Sequence, residues 1–203
     1  MFKFDDFLER AEMRLLKVPA LSWNRSDDDM NAKAQMIDHG KPAKPAAVLV
    51  PIILRDEPTV LLTERHKDLS NHAGQISFPG GRIDNDETPL AAALREADEE
   101  TGIAAEHITP LGYLDCYLTV TNYLVTPVVA TVATGFTTQV QASEVEMIFE
   151  VPLAFLMDLK NCQTHVRDWK GIERRYYVYQ FGVHHIWGAT AGMIRNLHDK
   201  LYA

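Results

Sequence analysis

Residues 81–103 of this 203-residue chain read GRIDNDETPLAAALREADEETGI and contain its most sharply bounded helix. Thr88 is a good capping residue, Pro89 suits the first helical position, and Gly102 can adopt the left-handed conformation that ends a helix. These signals predict a helix over residues 89–101. At about 100° per residue, four residues form its apolar stripe: Leu90, Ala93, Leu94 and Ala97.

Three glutamates lie on a separate face of this helix. Glu96, Glu99 and Glu100 stand at i, i+3 and i+4, so their carboxylates lie close together and repel one another. Three glutamates alone are more often a solvated acidic surface than a site. A hard divalent cation such as Mg²⁺ or Mn²⁺ would turn the repulsion into binding. The surrounding spacing decides between these two interpretations.

The residues around the helix follow a fixed spacing. Gly81, five residues, Glu87, seven residues, Arg95-Glu96, then Glu99-Glu100 and Gly102-Ile103 resemble the Nudix box. Seven fixed residues, each with a usage of about one in 15, would match by chance in roughly one such chain in a million. The resemblance implies a Nudix hydrolase with an α/β fold, an α/β/α sandwich around a mixed sheet. The box would form a loop-helix-loop, and the substrate would be a nucleoside diphosphate linked to another group.

The resemblance also implies a role for each box residue. The catalytic and metal-binding residues would be Glu96, Glu99 and Glu100, often joined by the carbonyl of Gly81, and the cofactor would be Mg²⁺ or Mn²⁺. A structural role would fall to Glu87 and Arg95, which brace the loop against the helix, and to Gly102. The base that activates water stays open between a box carboxylate and one outside the box, such as Glu144.

The stretch before the box narrows the family. Residues 61–81, LLTERHKDLSNHAGQISFPGG, resemble the extra signature of coenzyme A diphosphatases, a Nudix subfamily. The substrate would then be coenzyme A (CoA) or acyl-CoA, cut at its diphosphate to 3′,5′-ADP and 4′-phosphopantetheine. Three residues of the signature become candidates for substrate binding: Arg65, His72 and Gln75. Of the three, Arg65 is the strongest candidate for a phosphate contact, because guanidinium binds phosphate in a bidentate way.

Two positions depart from this signature. His66 stands where Ser or Ala is usual, and Ser70 stands where a second arginine is usual. Both departures bear on the affinity for CoA and on the preferred acyl form, and they leave the reaction type unchanged.

Two alternatives to this function stay open. One is hydrolysis of another nucleoside diphosphate derivative, such as ADP-ribose or NADH. The other is a Nudix-fold binding module without catalysis. The chain retains every charged position of the box, which favours an enzyme.

The rest of the chain divides into an N-terminal helix with a connecting arm, residues 1–45, and a hydrolase domain, residues 46–203. The helix is predicted over residues 3–17 and the arm over 18–45. Residues 66–86 are predicted to be a long polar loop. The remaining predicted elements are strands over 47–54, 59–65, 108–118, 123–134 and 174–183, a short helix within 144–159, and a closing helix over 189–202.

Composition excludes several classes of protein. The net charge of −8 argues against broad capture of nucleic acid, because no basic excess replaces phosphate counterions. The longest apolar run, residues 46–54, is too short to cross a membrane, since a spanning helix needs about 20 residues. Two cysteines are too few for a disulfide framework. These features predict a cytoplasmic protein, with the amphipathic N-terminal helix packed either on its own domain or on a second copy in a homodimer.

Overall fold

The computed structural model describes residues 2–31, 37, 40, 42–68, 74–169 and 172–203. Its elements in chain order are α1 (Phe4–Arg14), β1 (Trp23–Ser26), β2 (Lys44–Ile53), β3 (Thr59–Arg65), β4 (Ile76–Ser77), β5 (Gly80–Arg82), α2 (Pro89–Thr101), β6 (Ile108–Tyr113), β7 (Cys116–Leu118), β8 (Tyr123–Val132), β9 (Val145–Pro152), α3 (Leu153–Met157), β10 (Cys162–Trp169), β11 (Ile172–Phe181), β12 (His184–Trp187) and α4 (Ala189–Tyr202). Short 3₁₀ turns cover Ala105–His107 and Leu159–Asn161.

A mixed central sheet organises these elements. Among the described residues it has nine strands, and its main path runs β1-β7-β8-β2-β3-β4. Strand β2 pairs in parallel with β8 along its whole length, whereas β3, β5 and β6 join this pair through antiparallel contacts. The predicted mixed sheet is therefore confirmed.

Both faces of β2 are buried, which explains the near-continuous apolar run of this strand. Ala46, Val50 and Ile52 belong to a core that also contains residues of α1 and α4. Ala47, Leu49 and Ile53 belong to a second core, which contains the alanines of α2. Helices thus cover the sheet on both sides, and the predicted α/β/α sandwich is confirmed.

Helix α2 begins and ends where the sequence predicts. Thr88 Oγ1 accepts a 3.2 Å hydrogen bond from the Ala91 amide, and Gly102 is left-handed with φ of 73°. The buried face differs from the predicted stripe, because Leu90 and Leu94 are only half-buried. Ala93 and Ala97 of the stripe are buried as predicted, and Ala92, Glu100 and Thr101 are buried beside them. Small side chains let the helix lie close to the sheet, and the two leucines flank that contact.

Helix α1 packs on its own domain. Phe7 and Ala11 are fully buried in the same core as Leu197 and Leu201 of α4. The Arg10 guanidinium donates a 3.3 Å hydrogen bond to the Leu201 carbonyl. Of the two packing modes left open by the sequence, the structure shows the intramolecular one.

Several elements differ from the sequence prediction. The arm contains β1, which pairs in parallel with β7, and the stretch 66–86 contains the short strands β4 and β5. The predicted strand over 108–118 is two strands, both paired with β8. Strands β10 and β12 were not predicted, and together with β11 they form a second, antiparallel sheet of three strands.

In the part of the chain that the structure describes, no helix is long and apolar enough to cross a membrane. Both cysteines are free thiols: Cys116 is buried and Cys162 is half-buried.

Candidate active site

The segment Phe78–Gly81 fastens the entrance of the box to the central sheet. The Phe78 ring is 2% exposed and belongs to the core. The Pro79 carbonyl accepts a 2.9 Å hydrogen bond from the Leu49 amide. Gly80 and Gly81 then pair with β2 in antiparallel register. This pairing fixes the backbone of two glycines beside the last turns of α2.

The glycine backbone lies against two of the predicted metal ligands. The Gly80 amide donates a 3.2 Å hydrogen bond to Glu100 Oε2. A Cβ atom on Gly81 would overlap the carboxylate of Glu96, so only glycine leaves room for that carboxylate. The structure therefore brings Gly81, Glu96 and Glu100 together, as the spacing of the box predicts.

Arg95 braces the loop against the helix. Its Nε and Nη2 atoms each lie 3.1 Å from one carboxylate oxygen of Glu87. Nη2 also donates to the Arg82 carbonyl at 3.1 Å, and Glu87 Oε2 accepts from the Asp84 amide at 3.1 Å. The hydrogen bonds from Arg95 hold the pKa of Glu87 below its usual range, and the Asp84 amide adds to this effect. Arg95 thus contacts both the loop and the helix, and its bracing role stays a prediction.

Arg95 also contacts two of the predicted metal ligands. Its Nη1 atom lies 2.9 Å from Glu96 Oε1 and 3.1 Å from Glu99 Oε2. Among the described residues, no group of three or more acidic, His or Cys side chains stands arranged to hold a metal ion. The donor set nevertheless fits a hard cation, because carboxylate and carbonyl oxygens are its preferred ligands.

Glu100 is the most perturbed carboxyl group of the site. It is 3% exposed, although the sequence places it off the apolar stripe. Burial, together with the negative charges of Glu96 and Glu144, raises its pKa to about 7 against the opposing effects of the Gly80 amide and Arg65. Burial also raises the pKa of Glu96, against the effect of Arg95. Perturbed carboxyl groups of this kind concentrate at functional sites.

Arg65 extends the site beyond the box. It ends strand β3, and its Nη1 atom lies 3.7 Å from Glu100 Oε1. Its amide donates a 2.9 Å hydrogen bond to the Gln75 carbonyl, which places Gln75 next to it. The third predicted substrate contact, His72, lies outside the described residues, as does Ser70.

His66 connects the end of β3 to acidic residues near β9. Its amide donates a 2.9 Å hydrogen bond to the Glu144 carbonyl, and its Nε2 atom lies 3.5 Å from Glu146 Oε2. The Asp68 amide donates to His66 Nδ1 at 3.2 Å. His66, the first departure from the subfamily signature, therefore contacts the loop that carries Glu144. Glu144 lies near enough to raise the pKa values of Glu96 and Glu100.

Two features of the site were missing from the sequence prediction. The Gly80 amide holds Glu100, and the acidic residue Glu146 lies next to His66. The doubled glycine after Phe78-Pro79 is a sequence signal for a close backbone approach. No local spacing points to Glu146, because strands distant in sequence bring it to His66.

Comparisons with known proteins identify the family. The model of the NUDIX domain family matches residues 43–169, which include the signature stretch and the box. An uncharacterized Nudix hydrolase NudL of Photorhabdus laumondii is 36% identical over 202 residues, covering 99% of each chain. NudL of Escherichia coli strain K12 is 40% identical over 153 residues, covering 75% of this chain and 80% of its own. The solved structure of DR0079 from Deinococcus radiodurans has a TM-score of 0.50 at 13% identity, with 79% of this chain and 83% of that chain covered, and it supports the fold alone.

Proposed function

The chain belongs to the Nudix hydrolase family, which acts on nucleoside diphosphate derivatives, and on that basis we propose that it hydrolyses the diphosphate of CoA or acyl-CoA. The products are 3′,5′-ADP and 4′-phosphopantetheine. One observation carries the choice of substrate: Arg65, a residue of the CoA signature, lies 3.7 Å from the buried carboxylate of Glu100, a residue of the box. The signature and the box thus contribute to one site.

Mg²⁺ or Mn²⁺ is the proposed cofactor, held by Glu96, Glu99, Glu100 and the Gly81 carbonyl. When bound, such an ion supplies neutralisation of phosphoryl charge and a lower pKa for a coordinated water. Arg95 orients Glu96 and Glu99, which would hold the cation, through contacts of 2.9 and 3.1 Å. Its two hydrogen bonds to Glu87 hold the loop against the helix.

The remaining residues position the diphosphate and receive the proton. The Arg65 guanidinium is 28% exposed, so it can bind a phosphate oxygen that enters from solvent. Water attacks one phosphorus, the P–O–P bond breaks, and the proton of the water passes to a nearby carboxylate. The proposed base is Glu100 or Glu144. The variants Glu100→Gln and Glu144→Gln separate the two, because only loss of the base abolishes the acidic limb of the pH–rate profile, where the rate rises as the base loses its proton.

The test is chromatography of the purified protein incubated with CoA and Mg²⁺, beside ADP-ribose and NADH, with an EDTA control. Metal-dependent release of 3′,5′-ADP and 4′-phosphopantetheine is the expected result. Cleavage of ADP-ribose or NADH without cleavage of CoA would reject the proposed substrate and keep the Nudix chemistry.

Variants connect this result to the site. Arg65→Ala should raise KM for CoA, whereas Arg55→Ala, which removes an ion pair with Glu150, is the matched control. Thermal stabilisation by CoA without any turnover would favour a binding module over an enzyme. A cytoplasmic location and a homodimer stay predictions, and the latter is tested by the molar mass in solution.

A further inference from the structure

Four rings lie together on one face of the second sheet: His165 of β10, Tyr176 of β11, and His185 and Trp187 of β12. The ring centroids of Tyr176 and Trp187 lie 5.7 Å apart at an interplanar angle of 63°. His165 lies 6.1 Å from Tyr176 and 6.0 Å from His185. We call these four rings the aromatic face. They span all three strands of the sheet.

The aromatic face is partly exposed. Side chains alternate between the two faces of a strand, and the opposite face is fully buried at Tyr179 and Ile186, whereas the aromatic face, among the described residues, is fully buried only at Val178, the register partner of Trp187. His185 is exposed, and the other three rings are half-buried. A planar ligand can therefore reach these rings from solvent.

Two contacts join this sheet to the central sheet, on the side of β3, β4 and β9. The rings of His184 and Phe149 stack at 3.8 Å and 7°, which places β12 beside β9. The Thr190 hydroxyl, three residues after Trp187, donates a 2.9 Å hydrogen bond to the Ile76 carbonyl. Ile76 follows Gln75, whose carbonyl accepts from the Arg65 amide. A short chain of contacts thus leads from Trp187 to the arginine beside Glu100.

Cationic side chains flank the aromatic face. Arg167 and Arg174 are register partners two residues along from the pair His165–Tyr176, so they share its face. The Arg174 guanidinium also lies 3.8 Å from Asp27, which offsets part of its charge. Two neighbouring arginines are notable in a chain of net charge −8, and they suit a ligand that carries phosphate.

We propose that the aromatic face binds the purine base of the nucleoside diphosphate substrate, an inference that rests on the proposed function. Within the described residues, the contacts around Glu96 and Glu100 come from carboxylates, arginines and glycine backbone, which suit a diphosphate rather than a base. Stacking of a base on aromatic side chains is worth about 1–3 kcal/mol. The aromatic face supplies that stacking surface, and Arg167 and Arg174 on the same face supply positive charge suited to a ribose phosphate.

The first experiment measures binding of the two products without chemistry. In a Trp23→Phe, Trp169→Phe background, Trp187 is the sole tryptophan of the chain. We expect 3′,5′-ADP to quench its fluorescence and 4′-phosphopantetheine, which lacks a base, to leave it unchanged. Absence of quenching by saturating 3′,5′-ADP would overturn the proposal.

The second experiment removes the rings. Trp187→Leu and Tyr176→Leu should each raise the Kd for 3′,5′-ADP by roughly 5- to 140-fold, the stacking energy converted at 1.4 kcal/mol per tenfold. KM for CoA should rise in parallel while kcat changes less than about twofold. Trp187→Phe retains a ring and should restore most of the affinity. Val183→Ala, at a 91% exposed position between β11 and β12, is the control.

These results separate the base subsite from the proposed function. If CoA is cleaved while both leucine variants, folded, bind 3′,5′-ADP as the wild type does, the function stands and the subsite is rejected. If CoA is not cleaved and 3′,5′-ADP still quenches Trp187 with ring-dependent affinity, the subsite stands and the substrate assignment fails. Should Trp187→Leu not fold, the Kd values of Tyr176→Leu and Trp187→Phe for 3′,5′-ADP provide the comparison between loss and retention of a ring.

Discussion

The Gly80 amide donates a 3.2 Å hydrogen bond to Glu100 Oε2, so the edge of a strand and the last turn of a helix meet at one buried carboxylate. The other oxygen, Oε1, faces the Arg65 guanidinium at 3.7 Å. One amide and one guanidinium beyond hydrogen-bond distance compensate only part of the cost of burying a charge. This incomplete compensation favours a functional role for Glu100 over a stabilising one.

Replacing Glu100 by glutamine tests that role. Glu100→Gln keeps an acceptor for the Gly80 amide and removes the buried charge, so stability above neutral pH should be unchanged or higher. Turnover should fall on the order of 100-fold or more, because the proposed metal site loses a ligand. Steady-state assays and thermal unfolding measure the two effects. Asp98→Asn, on the exposed side of the same helix, is the control. Undiminished turnover in folded Glu100→Gln would remove this residue from the proposed metal site.

The raised pKa of Glu100 predicts a pH dependence of folding in the metal-free protein. Burial raises this pKa from 4.5 to about 7, so between these values the folded state holds a proton that the unfolded chain has released. The stability that this raised pKa confers is therefore fully present below pH 4.5, the pKa in the unfolded chain. It is lost as the pH rises through about 7, the pKa in the folded state. The loss amounts to about 3 kcal/mol at 1.36 kcal/mol per unit.

Denaturant unfolding in EDTA, at about pH 5 and about pH 8, measures this loss. The wild type should lose stability relative to Glu100→Gln between the two conditions, because every other group titrates in both proteins. Parallel pH profiles for the two proteins would show that Glu100 titrates normally.

The sequence could predict the fold and the box but not the burial of Glu100. Thr88, Pro89 and Gly102 act within one helix, and their effect is local, so the ends of α2 were predictable. Burial of Glu100 depends on the Gly80 strand edge, which a helical wheel does not contain.

The unpredicted strands have similar causes. Trp23–Ser26 pairs in parallel with a strand about 90 residues later, and no local pattern reports such a pairing. Strand β10 carries mostly polar, exposed residues, so it lacks the apolar alternation that marked the central strands. The spacing of residues along the chain therefore predicted which residues form the site. It could not predict strand pairing or side-chain burial, because both depend on contacts between residues distant in sequence.

The two neighbouring glycines of β5 should respond differently to alanine. At Gly81, the new Cβ would meet the end of the flexible Glu96 side chain, so Gly81→Ala should move that carboxylate and lower turnover at least tenfold with little loss of stability. At Gly80, the Cβ would meet backbone atoms of Ala47 and Val48, which cannot yield without moving the sheet. Gly80→Ala should therefore lower the melting temperature. The prediction fails if the two variants lose stability equally and Gly81→Ala retains full turnover.

Arg95→Lys should weaken the brace between loop and helix. Lysine cannot reproduce the two parallel hydrogen bonds to Glu87 or the additional bond to the Arg82 carbonyl. We expect a lower melting temperature, and a Glu87→Gln change should have a smaller effect in the Arg95→Lys background than in the wild type. A double-mutant cycle measures this coupling. Additive effects would mean that the Arg95–Glu87 contact contributes nothing measurable to stability.

The packing of α2 on the sheet gives a final prediction, which contrasts an alanine with a leucine. Ala97 is fully buried in the core beneath the helix, so Ala97→Leu should overpack that core and cost about 1–3 kcal/mol. Leu94 is half-buried at the flank of the contact, so Leu94→Ala should cost about 1 kcal/mol, below the range of a fully buried leucine. Denaturant unfolding of both variants measures the costs. A larger loss for Leu94→Ala than for Ala97→Leu would place Leu90 and Leu94, rather than the alanines, against the sheet. That packing would require a rotation of α2 that also moves Glu100 away from the Gly80 amide.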